Sequence, residues 1–220
     1  MVSDPPLVLA FDTAAARCAA ALVRGDAVLA RRDEAMDRGQ AERLLPLLEE
    51  MLAEAGAAWG DLDGIGVCVG PGNFTGLRLG VAAARGLALA LDRPAAGVTV
   101  FEALAAPLAG PVLISLEDKR EGRFSQVFAD CVARGAPAGG DPAALGPFPP
   151  GTVVAGFEPG PLAQRLGLAE GPEATRADPV VLARLAAGRL EGAEPPAPLY
   201  LRPADAMLPA EPPPLILDAG

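Results

Sequence analysis

A chain of 220 residues and 22.2 kDa has room for one large or two small domains with a substantial core. Its 51% apolar content and mean hydropathy of +0.30 exclude disorder by composition, while 26 Gly and 24 Pro predict many turns. A formal charge of −10, with Lys119 the only lysine, excludes a polybasic anchor and disfavours nucleic-acid binding by this chain alone; the absence of histidine removes imidazole metal sites and Ser-His or Cys-His nucleophiles.

Leu7 to Phe11, Cys18 to Val23 and Ala27 to Arg32 read as three strands of a meander, the last two joined by a tight turn at Arg24-Gly25-Asp26. From Gln40 to Ala55 apolar residues recur at helical spacing up to Gly56, and Pro46 marks either the start of the helix or a kink in it. Ile65 to Val69 is a buried strand, followed by a glycine-rich turn and a second helix over Leu77 to Leu91. Ala95 to Val98 is a short strand, and Thr99 with Glu102 forms a capping box for a helix reaching about Ala106. Val112 to Leu116 and Arg123 to Ala129 form a hairpin, Thr152 to Ala155 a strand and Pro179 to Leu190 a helix, with a loop over Gly135 to Gly151.

Three meandering strands followed by helix, strand, helix, strand and helix demand a mixed sheet with helices on its faces. The expected fold class is therefore α/β: a ribonuclease-H-like or actin-like ATPase fold with two mixed-sheet halves, the second degenerate. Seventeen of the 24 prolines follow residue 135, so a domain boundary is expected near Gly110-Pro111, giving domains 1–110 and 111–220. Cys18, Cys68 and Cys131 are odd in number, far apart and without metal-ligand spacing, as expected of buried thiols in a reducing compartment. With no basic leader at Met1-Val2-Ser3, the protein is expected to be cytoplasmic and off the membrane.

The glycine-rich turn reads Gly70-Pro71-Gly72-Asn73-Phe74-Thr75-Gly76-Leu77-Arg78-Leu79-Gly80. Its glycines permit a sharp strand-to-helix turn, Thr75 is placed to accept amides of the first helical turn, and the positive helix end suits an anion. A tight turn with a cap accounts for the same residues, and there is no Walker lysine. Taken whole, the string resembles the GPGSFTGLRIG signature of the TsaB (YeaZ) family, with Asn73 in place of Ser. The resemblance continues at Leu9 to Thr13, Glu42 to Pro46, Asp61 to Ile65 and Pro198-Leu199-Tyr200-Leu201-Arg202. It departs at Gln40, where family members commonly have His, and over Glu117 to Phe124, where they often read DARRxEVY.

The resemblance implies a degenerate actin-like ATPase fold related to TsaD, and a non-catalytic partner subunit in the bacterial complex that forms N6-threonylcarbamoyladenosine in the anticodon loop of tRNA. The implied partners are TsaD directly and the ATPase TsaE through the complex, with a homodimer when alone and tRNA met only through the complex. No metal and no catalytic residue are expected; a nucleotide at the joint between subunits is left open. An actin-like ATPase needs a first-strand Asp, a second acidic turn and an adenosine loop. Asp12, Thr13 and Glu117 stand as a vestigial phosphate site, with local turn bonding the alternative for Asp12, while the only late double glycine, Gly139-Gly140, lies in the loop. An active ATPase or small-molecule kinase using Asp12, Thr13 and Glu117 is the competing reading, and a peptidase a remote one. The partner surface is expected on the first two helices, at Leu44, Leu48, Met51 and Leu52 and at Arg78, Ala82, Ala83, Arg85 and Gly86. Packing of these residues on their own sheet is the alternative.

Overall fold

A computed structural model of the chain describes residues 4–118 and 122–201. Strand β1 (Leu7–Asp12) is apolar from Leu7 to Phe11 because it lies mid-sheet, buried on both faces, and ends in the buried Asp12. It runs antiparallel to β2 (Arg17–Arg24), which turns through Gly25, at φ +57°, into β3 (Ala27–Ala35), an edge strand that alternates exposed and covered residues. On the other side β4 (Gly64–Cys68) and then β5 (Ala95–Val98) add in parallel, giving the ribonuclease-H-like order β3-β2-β1-β4-β5.

The intervening helices cover one face of this sheet. Helix α1 (Gln40–Glu54) buries Leu44, Leu47, Leu48, Met51 and Leu52, a stripe of helical period, against Leu7, Leu9 and Phe11. It begins well before Pro46, whose exposed position leaves the unmatched carbonyl one turn earlier to water. Helix α2 (Phe74–Leu91) starts earlier than its apolar spacing implies because Asn73, not Thr75, is the cap, accepting from the amides of Thr75 and Gly76. The capping box of α3 (Val100–Ala105) forms as read, with Thr99 and Glu102 bonding each other's amides.

The second half repeats the pattern. β6 (Val112–Asp118) and β7 (Gly122–Ala129) form the hairpin, with short β8 (Val132–Ala133) and β9 (Ala138–Gly139) both pairing β7. β10 (Val153–Gly156) and β11 (Ala169–Glu173) then add in parallel, for the order β11-β10-β6-β7-β8. That is the first sheet's order read from the other edge, with β9 as an additional short strand on β7. Degeneracy shows where α1 has its counterpart: only a 3₁₀ turn at Pro142–Leu145 lies between β9 and β10, in the segment read as loop. Helix α4 (Pro159–Leu166) packs outside the second sheet on Leu113 and Val154.

Helix α5 (Pro179–Ala187) follows β11, yet it docks on the first sheet, where a Cβ added to Gly66 would lie 2.8 Å from the Ala186 methyl. One apolar cluster joins Val8 and Ala10 of β1, Phe101 and Leu104 of α3, Ile114 and Leu116 of β6, and Leu182 and Ala186 of α5. The layers are therefore α1 and α2, first sheet, α3 and α5, second sheet, α4. Gly110 lies between α3 and β6, and α5 crosses back over that line.

Candidate functional site

The β1–β2 turn and the start of α2 meet where a phosphate site belongs in this fold class, and their own atoms fill the space. The Asp12 carboxylate, 2% exposed, accepts the amide of Ala14 and a guanidinium nitrogen of Arg17, each at 2.8 Å. Thr13 donates its hydroxyl to the carbonyl of Gly76 at 2.7 Å. The Asn73 amide reaches the Ala14 carbonyl at 2.6 Å. Added Cβ atoms at Gly72 and Gly76 would stand 2.5 Å from the Ala14 carbonyl oxygen and 1.9 Å from that of Thr13. These glycines are thus explained by backbone-to-backbone packing. They leave no cradle of free amides, because Thr13 and Ala14 press on the motif from the side a ligand would take.

Arg17 is 3% exposed and also donates to Asp33 at 2.8 Å and to the carbonyl of Ala177. Burial works against its charge, but Asp12 and then Asp33 outweigh it and its pKa is raised. Removing one member of such a buried pair while leaving the other costs about 3–5 kcal/mol. Glu117, the third expected member of the vestigial site, is not brought here. It is exposed on the second sheet opposite Arg123, and no hydrogen bond or ion pair among the described residues joins it to Asp12 or Thr13. Nor do any three of Cys, Asp and Glu converge among the described residues as metal ligands would.

The expected partner surface divides in two. Leu44, Leu48, Met51 and Leu52 are corrected from surface to core: each is at most 2% exposed, because a helix lying on a sheet needs the whole of that stripe. Ala83 is half-buried in the same cluster. Arg78, Ala82, Arg85 and Gly86 face solvent, and so do Phe74 at 52% and Leu89 at 86% exposure. These six residues recur at helical spacing along one side of α2. An added Cβ at Gly86 would meet nothing within 4 Å among the described residues, so none of them requires glycine there.

Sequence reasoning missed three members of this face, Phe74 being read only as part of the motif loop. Leu89 extends the stripe, and Tyr200, 49% exposed, arrives from the far end of the chain. The Leu199 amide donates to Val69 at 2.8 Å, which lays the late segment beside the motif. Arg78 then stacks over the Phe74 ring at 3.9 Å and donates from Nε to the Tyr200 hydroxyl at 3.0 Å, and the two rings lie 5.6 Å apart. Arg202 of that segment lies outside the described residues. The α2 face so built is apolar and cationic, and α2 contains no acidic residue.

The thiols separate by burial. Cys18 is pushed up to about 11 by burial and then by Glu34, and Cys68 well above the usual range by burial and then by Asp12. Cys131, expected inside, is exposed in the turn after β7, where its left-handed φ of 61° keeps it out of the strand. A chromogenic disulfide at pH 8 should therefore titrate one thiol quickly and the other two only in denaturant. Three rapid equivalents would mean that the first sheet is open.

Comparison with known proteins places these features. A family model described as TsaD, tRNA N6-adenosine threonylcarbamoyltransferase, matches residues 33–116. An uncharacterized protein of Mycobacterium tuberculosis strain H37Rv is 35% identical over 144 residues, which span 64% of this chain and 68% of that protein. The tRNA threonylcarbamoyladenosine biosynthesis protein TsaB of Escherichia coli K12 is 35% identical over 98 residues, 44% of this chain and 42% of that protein. YeaZ from Pseudomonas aeruginosa superposes with a TM-score of 0.74 at 26% identity, over 89% of this chain and 100% of that one. The chain belongs to the TsaB (YeaZ) family. The TsaB of Bacillus subtilis is 37% identical, but its match covers only 43% of that protein, so the chain's match spans under half the length of these named TsaB relatives. Family membership fits the actin-like fold with a duplicated sheet and the motif's position at the start of α2.

Proposed function

We propose that the chain acts in the formation of N6-threonylcarbamoyladenosine in tRNA as a non-catalytic subunit that binds and supports a TsaD paralogue. The names of the TsaB relatives and the match to the TsaD family model support the pathway. The observation that carries the subunit role is the contrast between the two halves of the candidate site. The Asp12–Thr13 turn is closed by Arg17 and Gly76, while the solvent side of α2 leaves Phe74, Arg78, Ala82, Arg85, Gly86 and Leu89 exposed among the described residues, with the half-exposed Tyr200 against Phe74 and Arg78 at one end. A chain with its ligand turn filled contributes binding energy and geometry. Small residues at Ala82 and Gly86 permit close helix approach, and Arg78 and Arg85 suit carboxylates on the incoming surface.

TsaD is the direct partner, the ATPase TsaE joins through the complex, tRNA is met only there, and the chain alone pairs with itself in the cytoplasm. A nucleotide belongs, where there is one, to the joint between subunits, since Asp12 and Thr13 are already engaged. Light scattering on a sizing column tests this directly. The chain mixed with its TsaD paralogue at micromolar concentration should elute as a heterodimer, and no shift would overturn the reading. Steady ATP turnover by the chain alone, lost in Asp12→Ala, would replace it with the kinase reading.

A further inference from the structure

We propose that Arg17 is a built-in clamp that holds the two halves of the fold together across the cleft between them, doing with a side chain what a ligand bridging the halves would otherwise do. Projecting from the start of β2, the guanidinium stands between two other strands of the first sheet and one connection from the second. It reaches Asp12 at the end of β1 and Asp33 on β3, and it hydrogen-bonds the carbonyl of Ala177. Ala177 is fully buried in the connection that carries the chain from β11, in the second sheet, to α5, on the first. No other residue type offers this geometry, since a planar fork addresses several acceptors at once, whereas an ammonium is a single point.

Three further observations point to a clamp rather than to an ordinary surface ion pair. The Arg17 side chain is 4% exposed, and its Nε is buried without a partner among the described residues, so the group is held by what its two terminal nitrogens span and not by maximal bonding. Asp12 is already committed to the Ala14 amide and to Arg17, which keeps its charge compensated inside. On the rim, Arg31 meets Asp178 at 3.3 Å, and Asp178 also caps α5 through the Val180 amide, so the same connection is held a second time by a weaker, exposed pair. A hollow of about 370 Å³ lined by Arg17, Arg31, Asp33, Glu173, Arg176 and Asp178 is what remains of the cleft. Its lining carries as many carboxylates as guanidiniums, which argues against a free anion there and for a seam.

The test is hydrogen–deuterium exchange on the full chain alone, so its outcome is independent of any partner and separate from the subunit reading above. Arg17→Lys should speed exchange of the amides between residues 174 and 182 at least tenfold and leave those of β1 and β2 within twofold. Asp33→Asn, which removes only a contact inside the first sheet, should leave residues 174–182 within twofold of the parent. Should Arg17→Lys fail to fold, the paired change Asp12→Asn with Arg17→Gln removes both buried charges together and should give the same local release. Unchanged exchange at residues 174–182 in the variant that folds would overturn the clamp. So would a uniform rise over the whole chain, which marks a contribution to global stability alone.

Discussion

Gly76→Ala should lower the stability of the isolated chain by about 3 kcal/mol, read from the midpoint of urea unfolding. The new methyl would stand 1.9 Å from the Thr13 carbonyl oxygen, a backbone atom that has no rotamer by which to give way. Relief requires α2 to lift from the β1–β2 turn. That movement breaks the 2.7 Å bond from the Thr13 hydroxyl to the Gly76 carbonyl and weakens the 2.6 Å bond from the Asn73 amide to Ala14. Gly86→Ala, later on the same helix, should do the opposite and stabilise the isolated chain by up to about 1 kcal/mol, because an alanine there meets open space and improves helix propensity. The pair separates two roles for glycine within one helix. Equal destabilisation by both would mean that the start of α2 is not packed as described.

The same contrast explains what was legible in the sequence. Strands β1, β4 and β5 and the β6–β7 hairpin were readable because their apolar runs and turn residues agree with their burial. Helix α4 was not, since Pro159, Gly160 and Pro161 punctuate its first turn and only Leu162 and Ala163 reach the core behind them. Strand β11 reads Ala-Glu-Gly-Pro-Glu, with none of the residues strands prefer. It exists because Gly171 lets it close on β10, where an added Cβ would lie 2.5 Å from Val153. At the site, the motif's identity was visible but not the mechanics of its glycines, which depend on contacts with Thr13 and Ala14 at separations of 58 (Gly72 to Ala14) and 63 (Gly76 to Thr13) residues, beyond the reach of local pattern. Arg17 gave no signal at all: an arginine at the start of a strand reads as solvated until Asp33 and Ala177 are brought around it. The stripe on α1 misled for a related reason, since a helix lying on a twisted sheet buries a wider band than a single ridge of contacts suggests.

Ala82→Glu should weaken association with a TsaD paralogue about 100-fold while leaving the unfolding midpoint of the isolated chain nearly unchanged. Ala82 is exposed in the middle of the solvent side of α2 among the described residues, so a carboxylate there is hydrated in the free chain and costs its stability less than about 0.5 kcal/mol. Buried in a helix-to-helix contact without a partner, the same group costs about 3 kcal/mol or more. Leu48→Asp is the necessary contrast. Leu48 is 0% exposed in the cluster beneath α1, so its carboxylate is desolvated whether or not a partner is present, and that variant should unfold the chain rather than only uncouple it. Isothermal calorimetry for binding and urea titration for stability give the two axes. If Ala82→Glu binds as the parent does, the partner does not use this side of α2, and the exposure of Phe74, Gly86 and Leu89 needs another cause. If it binds weakly but also melts early, the loss is structural. Only weak binding with an intact fold separates a surface kept small and bare for another protein from one that is merely uncovered.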